Sequence, residues 1–210
     1  MQVIKPSFEI MDTIDAEKML RNIERYARTC YQSEPKSDSF EDTKIFLKKL
    51  LYEKKHDSVF EHEKITVKFI CDRGVSHEIV RHRIASYSQE STRYCNYAND
   101  KFGNEITVIE PCFWHNMQSD GDKYTAWLQA MKNAEDSYFA LINMGALPQE
   151  ARSVLPNSLK TEIVCTFNIR EWRHFFRLRT AISAHPQMRE ITIPLYNEFK
   201  KQIPILFDDI

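Results

Sequence analysis

The stretch Thr161-Glu-Ile-Val-Cys-Thr-Phe-Asn-Ile-Arg-Glu-Trp-Arg-His-Phe-Phe-Arg-Leu-Arg-Thr180 changes its hydrophobic period half-way along, and that change decides the fold class. Ile163, Cys165, Phe167 and Ile169 recur at every second position, as on one face of a half-buried strand. From Arg170 the spacing becomes helical, so that Trp172, Phe175, Phe176 and Arg179 share a face. A strand therefore leads straight into a helix. From Lys64 the pattern repeats: Ile65, Val67, Phe69 and Cys71 alternate with Lys64, Thr66 and Lys68. Gly74 is expected to break this strand before a helix carrying His77 to Arg83.

Around these two units the chain reads as helices of one apolar face each. Residues 15–28 place Ala16, Met19, Leu20, Ile23, Tyr26 and Ala27 at helical spacing, and residues 41–54 do the same with Phe46, Leu47, Leu50 and Leu51. A short strand is expected at 105–109. A long helix over 121–144 carries Tyr124, Trp127, Leu128, Met131, Tyr138 and Leu141 and stops at Gly145. Pro148 suits the first turn of a short helix, and the last helix, from 186, is expected to kink at Pro194. Separated strands without regular βα alternation predict an α+β fold, an antiparallel or mixed sheet flanked by helices. The absence of repeats and of a Pro/Gly/Ser linker predicts one domain over residues 1–210.

Composition narrows the functions. A net charge of −1 excludes a polyanion binder held by its overall field, so anion recognition must be local. The five cysteines form no Cys-x-x-Cys pair, which predicts reduced thiols and a cytoplasmic protein. No long apolar run and no signal-peptide core is read, so neither secretion nor a membrane span is expected. The four glycines, at 74, 103, 121 and 145, are too far apart for a dinucleotide fingerprint or a P-loop. His56, Glu61, His62, His77 and His82 lack the spacing of a zinc site, and no metal is expected.

The densest chemistry is Arg81-His-Arg-Ile-Ala-Ser-Tyr-Ser-Gln-Glu-Ser-Thr-Arg-Tyr94. Arginine forks suit phosphates and heterocycle carbonyls, and Ser86, Ser88, Ser91 and Thr92 add donors, which points to a nucleotide. On a helix Arg81, His82 and Arg83 would point about 100° apart and serve different groups. The bland alternative is a solvated basic helix end capping its last carbonyls. The second basic cluster is Arg170, Arg173, Arg177 and Arg179, interleaved with Trp172, Phe175 and Phe176. An Arg179 turned toward the core needs an anion or carbonyl partner, and a structural ion pair with a carboxylate serves as well as a ligand.

Arg81-His-Arg, seven residues, Ser91, then Arg93-Tyr94 resembles the signature of the flavin-dependent thymidylate synthases. The likeness extends to His56-Asp-Ser-Val-Phe-Glu61-His62, Ala151-Arg152-Ser-Val-Leu-Pro156, Asn168-Ile-Arg170 and Leu178-Arg179, in the family's order over residues 50–190. The resemblance implies dTMP made from dUMP, with 5,10-methylenetetrahydrofolate as one-carbon donor and NADPH-reduced FAD as hydride source. It implies a homotetramer with active sites shared between subunits, and no nucleic-acid or membrane partner. Arg179 is implied as catalytic, polarising the uracil. The dUMP residues implied are Glu78, Arg81, Gln89, Glu90, Ser91, Arg93, Arg152 and Arg179, with backbone amides near Gln89 and Glu90 on the phosphate and Arg152 given by another subunit. Those implied for FAD are His56, Ser58 and Glu61; Arg81, His82, Arg83, Ile84 and Gln89; and Asn168, Arg170, His174 and Leu178. Glu78, Ser88-Gln89 and His174 depart from the family pattern, where glutamine, Asn-Glu and asparagine are usual. Cys95 is expected to pack rather than attack C6 of the pyrimidine. Two other classes remain: an RNA binder stacking bases on the aromatics of 170–179, and a histidine phosphatase using His82.

Overall fold

The computed structural model describes residues 1–99, 103–114 and 117–210. Strands β1 (Gln2–Ile4) and β2 (Ser7–Ile10) precede helices α1 (Ala16–Tyr31) and α2 (Phe40–Lys48). Then come β3 (Lys64–Asp72), α3 (Arg73–Ile79), β4 (Ala85–Gln89), β5 (Thr107–Ile109), α4 (Met117–Asn143) and α5 (Pro148–Ala151). The chain closes with β6 (Lys160–Asn168), α6 (Ile169–Arg179), α7 (Pro186–Gln202) and α8 (Pro204–Phe207). The fold is α+β.

Four strands form a sheet in the order β2-β3-β6-β4. It is antiparallel, because contacts step in opposite directions on neighbouring strands: Lys68 bridges Glu9 while Met11 bonds Thr66. The Thr66 hydroxyl meets that of Thr166 while the Ile169 N–H reaches the Glu63 carbonyl. A separate pair, β1 and β5, is parallel, with Val3 opposite Val108. The sheets are thus mixed in kind, within the expectation.

Both long strands run into their helices with no intervening loop. Asp72 ends β3 and caps α3 by accepting the Val75 N–H at 2.6 Å. Asn168 ends β6 and caps α6 by accepting the Glu171 N–H at 2.8 Å. A short polar side chain at the last extended residue satisfies an orphan donor of the first turn, so strand and helix share a residue boundary.

The described residues fall into two compact units. One comprises Met1–Phe8, Phe69–Arg81 and Ser88–Val164; the other comprises Glu9–Lys68, His82–Tyr87 and Cys165–Ile210. The first unit packs Val108, Ile106 and Leu159 against Met131 and Tyr138 of α4, with Cys95 alongside in the packing role expected of it. In the second, Trp172, Phe175 and Phe176 of α6 are fully buried with Phe167, Phe199 and Phe207. Each such ring contributes about 1.5–3 kcal/mol by leaving water.

Four expectations are corrected. The helix after β3 ends at Ile79, so Arg81, His82 and Arg83 lie beyond it. Gly74 sits inside this helix rather than before it, where a Cβ would come within 3.2 Å of the Asp72 carboxylate that caps the helix. The argument from 100° helical steps therefore does not apply. Second, residues 85–89 form a strand hidden from periodicity by small polar residues, which the sheet edge tolerates. Third, β1 and β2 were not expected; at three and four residues they are too short to show a period. Fourth, the helix expected over 41–54 is α-helical only to Lys48 and continues as a wider π turn over Lys49–Glu53. The last helix continues through Pro194.

Candidate functional site

The expected site residues divide between the two units. In the first, β4 leads at Gln89 and Glu90 into a turn holding the signature's hydroxyls. Gln89 Nε2 donates to Ser76 Oγ at 2.9 Å and Thr161 Oγ1 at 3.2 Å. Neither contact needs a carboxylate, which accounts for the tolerance of glutamine there. The Glu90 N–H bonds the Glu162 carbonyl, so that amide belongs to the sheet ladder and not to a phosphate. Glu90 Oε2 pairs with Lys160 at 3.0 Å, and Tyr97 donates to Oε1. Burial works against the Lys160 charge, but hydrogen bonds to Glu162 and Glu90 outweigh it and raise its pKa.

Ser91 turns the chain: its carbonyl accepts the N–H groups of Tyr94 and Cys95, and its Oγ accepts that of Arg93. The exposed Arg93 guanidinium lies over the Tyr94 ring at 5.6 Å. Arg152 Nη1 donates to Thr92 Oγ1 of the same chain at 3.4 Å. The turn after α5 brings Arg152 to the signature within its own chain. Beside this contact lies a cavity of about 460 Å³ lined by Arg73, His77, Thr92, Gln149, Arg152 and Ser153, among others. Its described lining contains no carboxylate. Arg73 Nη2 donates to the Glu90 carbonyl at 3.0 Å, while Arg73 Nε is buried without a partner among the described residues. Glu78 is half-buried on α3, and Arg81 is exposed just past its end.

In the second unit His82 is only 4 % exposed. Its Nδ1 lies 2.7 Å from Glu171 Oε1, and its Nε2 accepts the Arg179 Nε–H at 3.1 Å. Burial lowers the His82 pKa; the Glu171 hydrogen bond opposes this, and Arg179 and His174 add to the lowering. Arg179 thus has an imidazole nitrogen among its partners, a kind the sequence did not suggest. The structural ion pair falls to Arg173, which is 4 % exposed and grips Asp209 with both terminal nitrogens.

This geometry removes both alternatives. The aromatic rings of α6 are wholly buried and cannot stack on bases. His82 has both ring nitrogens engaged and is not poised as a nucleophile. His82, Glu171 and His174 do bring ligand-type atoms within 4.8 Å of one another, but a neutral imidazole has one ring lone pair to offer a metal, and on His82 it accepts the Arg179 N–H.

The remaining positions sit on the surface of the second unit. Arg170 pairs with Glu61 at 2.5 Å, and His56 Nδ1 meets the Tyr31 hydroxyl at 2.5 Å, so both groups bind side chains rather than backbone donors. Ser58, Arg83 and His174 are exposed. Asn168 spends its Oδ1 on the α6 cap. Ile84 is 65 % and Leu178 48 % exposed, and they flank in sequence the two ends of the His82–Arg179 contact. Exposed apolar side chains adjoining arginines in sequence, Ile84 after Arg83 and Leu178 between Arg177 and Arg179, suit a cofactor with an apolar ring system and a diphosphate, and FAD fits that donor set.

Glu171 and Arg73 were missed. Asn168-x-x-Glu171 reads as a helix-capping pattern, which hides a carboxylate aimed at His82. Nothing in the spacing around Arg73 marks it.

The family model described as "Thymidylate synthase complementing protein" matches residues 11–205. The chain belongs to this family. Among its curated members, the flavin-dependent thymidylate synthase of Pyrococcus furiosus is 36 % identical over 148 residues, 70 % of this chain and 59 % of the relative. That of Geobacter sulfurreducens is 34 % identical over 189 residues, 87 % of this chain and 78 % of its own. That of Corynebacterium efficiens is 29 % identical over 97 % of this chain and 84 % of its own. A solved UMP/dUMP methylase, PolB from Streptomyces cacaoi bound with 5-Br dUMP, superposes with a TM-score of 0.81 at 21 % identity. It covers 99 % of this chain and 96 % of the methylase, so the two share a fold over nearly all of both chains.

Proposed function

We propose that this protein methylates dUMP to dTMP, with 5,10-methylenetetrahydrofolate as one-carbon donor and FAD reduced by NADPH. Family membership supports the reaction class. The observation that carries the substrate is the carboxylate-free cavity beside the signature, into which two guanidiniums and a threonine hydroxyl converge. A nucleotide phosphate is the anion that such a set of donors suits. Arg152, Ser91 and Arg93 complete its shell, with Glu78, Arg81, Gln89 and Glu90 around the nucleotide.

FAD, when bound, supplies the redox chemistry. His56, Ser58, Glu61, Arg81, His82, Arg83, Ile84, Gln89, Asn168, Arg170, His174 and Leu178 are the positions proposed to hold it. Arg179 donates to a uracil carbonyl as negative charge builds on the ring, the arrangement most effective away from water. The chain acts as one domain, assembled as a cytoplasmic homotetramer with active sites shared between subunits.

The test is turnover of dUMP by the purified protein with FAD, NADPH and 5,10-methylenetetrahydrofolate. The expected products are dTMP and tetrahydrofolate. Stoichiometric dihydrofolate would overturn the flavin route, and failure to form dTMP with all four components present would overturn the reaction.

A further inference from the structure

We propose that Glu171 is a positioning residue that fixes the tautomer of His82 and thereby aims the guanidinium of Arg179, forming a buried carboxylate–imidazole–guanidinium relay. The proposal rests on Arg179 acting on the pyrimidine. Its geometry is complete within one unit: Glu171 Oε1 to His82 Nδ1 is 2.7 Å, and Arg179 Nε to His82 Nε2 is 3.1 Å. Glu171 is 8 % exposed and His82 4 %.

The directions of the two hydrogen bonds allow one protonation state. Arginine has donors only, so the Nε2 it approaches must present a lone pair. The imidazole is then neutral with its proton on Nδ1, where the carboxylate accepts it. The opposite tautomer would set Nε2–H against a guanidinium N–H and leave Nδ1 and the carboxylate as two facing acceptors. An imidazolium would add a cation beside a cation. Only the Nδ1–H form satisfies all three groups, and the carboxylate selects it.

The ring cannot swing away. Phe175 lies edge-on at 4.9 Å and Phe167 stacks at 6.1 Å between centroids, while Tyr87 donates to the His82 carbonyl. His82 therefore transmits orientation from a helix start to the end of the same helix: Glu171 lies in the first turn of α6 and Arg179 in its last. Arg179 emerges half-buried with Nε occupied and the fork turned by that bond.

Glu171→Gln keeps the volume and removes the charge that selects the tautomer. It should lower kcat by about ten- to a hundredfold, as for supporting groups that orient a functional side chain, with KM for dUMP within about threefold of wild type. Circular dichroism should match wild type. Nitrogen-15 NMR of the protein without added substrates should show His82 as the neutral Nδ1–H tautomer at pH 8 in wild type, and its loss in Glu171→Gln. A His82 carrying its proton on Nε2, or unchanged kcat in well-folded Glu171→Gln, overturns the relay. The NMR measurement needs neither a variant nor turnover, so it separates failure of the relay from failure of the proposed reaction.

Discussion

At the scale of single residues, the arginines have divided their work. Arg152 reaches Thr92 at 3.4 Å beside an open cavity, a long bond that leaves the guanidinium able to take a better acceptor. Arg152→Ala should raise KM for dUMP about ten- to a hundredfold, the equivalent of about 1.5–3 kcal/mol for a charge-assisted bond, while leaving thermal stability near wild type. Unchanged KM would remove Arg152 from the nucleotide. Arg173 is the opposite case. It is buried, holds Asp209 at 2.7 and 2.8 Å and donates to the Leu206 carbonyl. Arg173→Ala should cost about 1–3 kcal/mol of unfolding free energy, because it leaves the buried Leu206 carbonyl without this donor, while the exposed Asp209 keeps Arg177 and water. Chemical denaturation measures it, and a loss under 1 kcal/mol would show the pair to be mere surface.

At the scale of elements, what could be read in advance was what periodicity encodes. β3, β6 and α6 declare themselves because their apolar positions recur at two or at three to four residues over nine or more. β4 does not, since an edge strand of Ala, Ser, Tyr, Ser and Gln has no apolar face to show. The family motif located His82 and Arg179, but not Glu171, which is tied to His82 across 89 residues of sequence. Such a partner is set by tertiary packing and leaves no local trace. The His82 cluster also sets a pH response. Burial holds the folded-state pKa below the ordinary imidazole value of about 6.5, so the unfolded chain takes up the proton first as pH falls. The contribution to stability is complete above about pH 6.5 and is lost as pH drops from there toward the folded-state value. The groups facing the ring are Glu171, Arg179 and His174. The urea midpoint should fall between pH 7 and pH 5 by more in wild type than in His82→Asn. Equal falls would place the acid sensitivity elsewhere.

At the scale of the whole molecule, the strand order β2-β3-β6-β4 brings an early strand, β2, and the last, β6, into one sheet, with β3 and β6 at the centre. Among the described residues no helix is long and apolar enough to cross a membrane. The proposed tetramer predicts a sedimentation mass of four times the 24.9 kDa chain. A monomer at micromolar concentration would end the case for active sites shared between subunits.

The seamless joints at Asp72 and Asn168 restrict how this chain can vary in length. A helix that starts on the residue where a strand stops is keyed to it in rotation: one added residue turns everything downstream by about 100°. Inserted after Asn168, it would turn the side of α6 that carries Arg179 away from His82 and strip His82 of its donor. Inserted within 33–38, where no helix or strand runs, it has slack on both sides. Variation in length should therefore gather in such connections and stop at the two joints, which act as gear teeth that cannot be skipped.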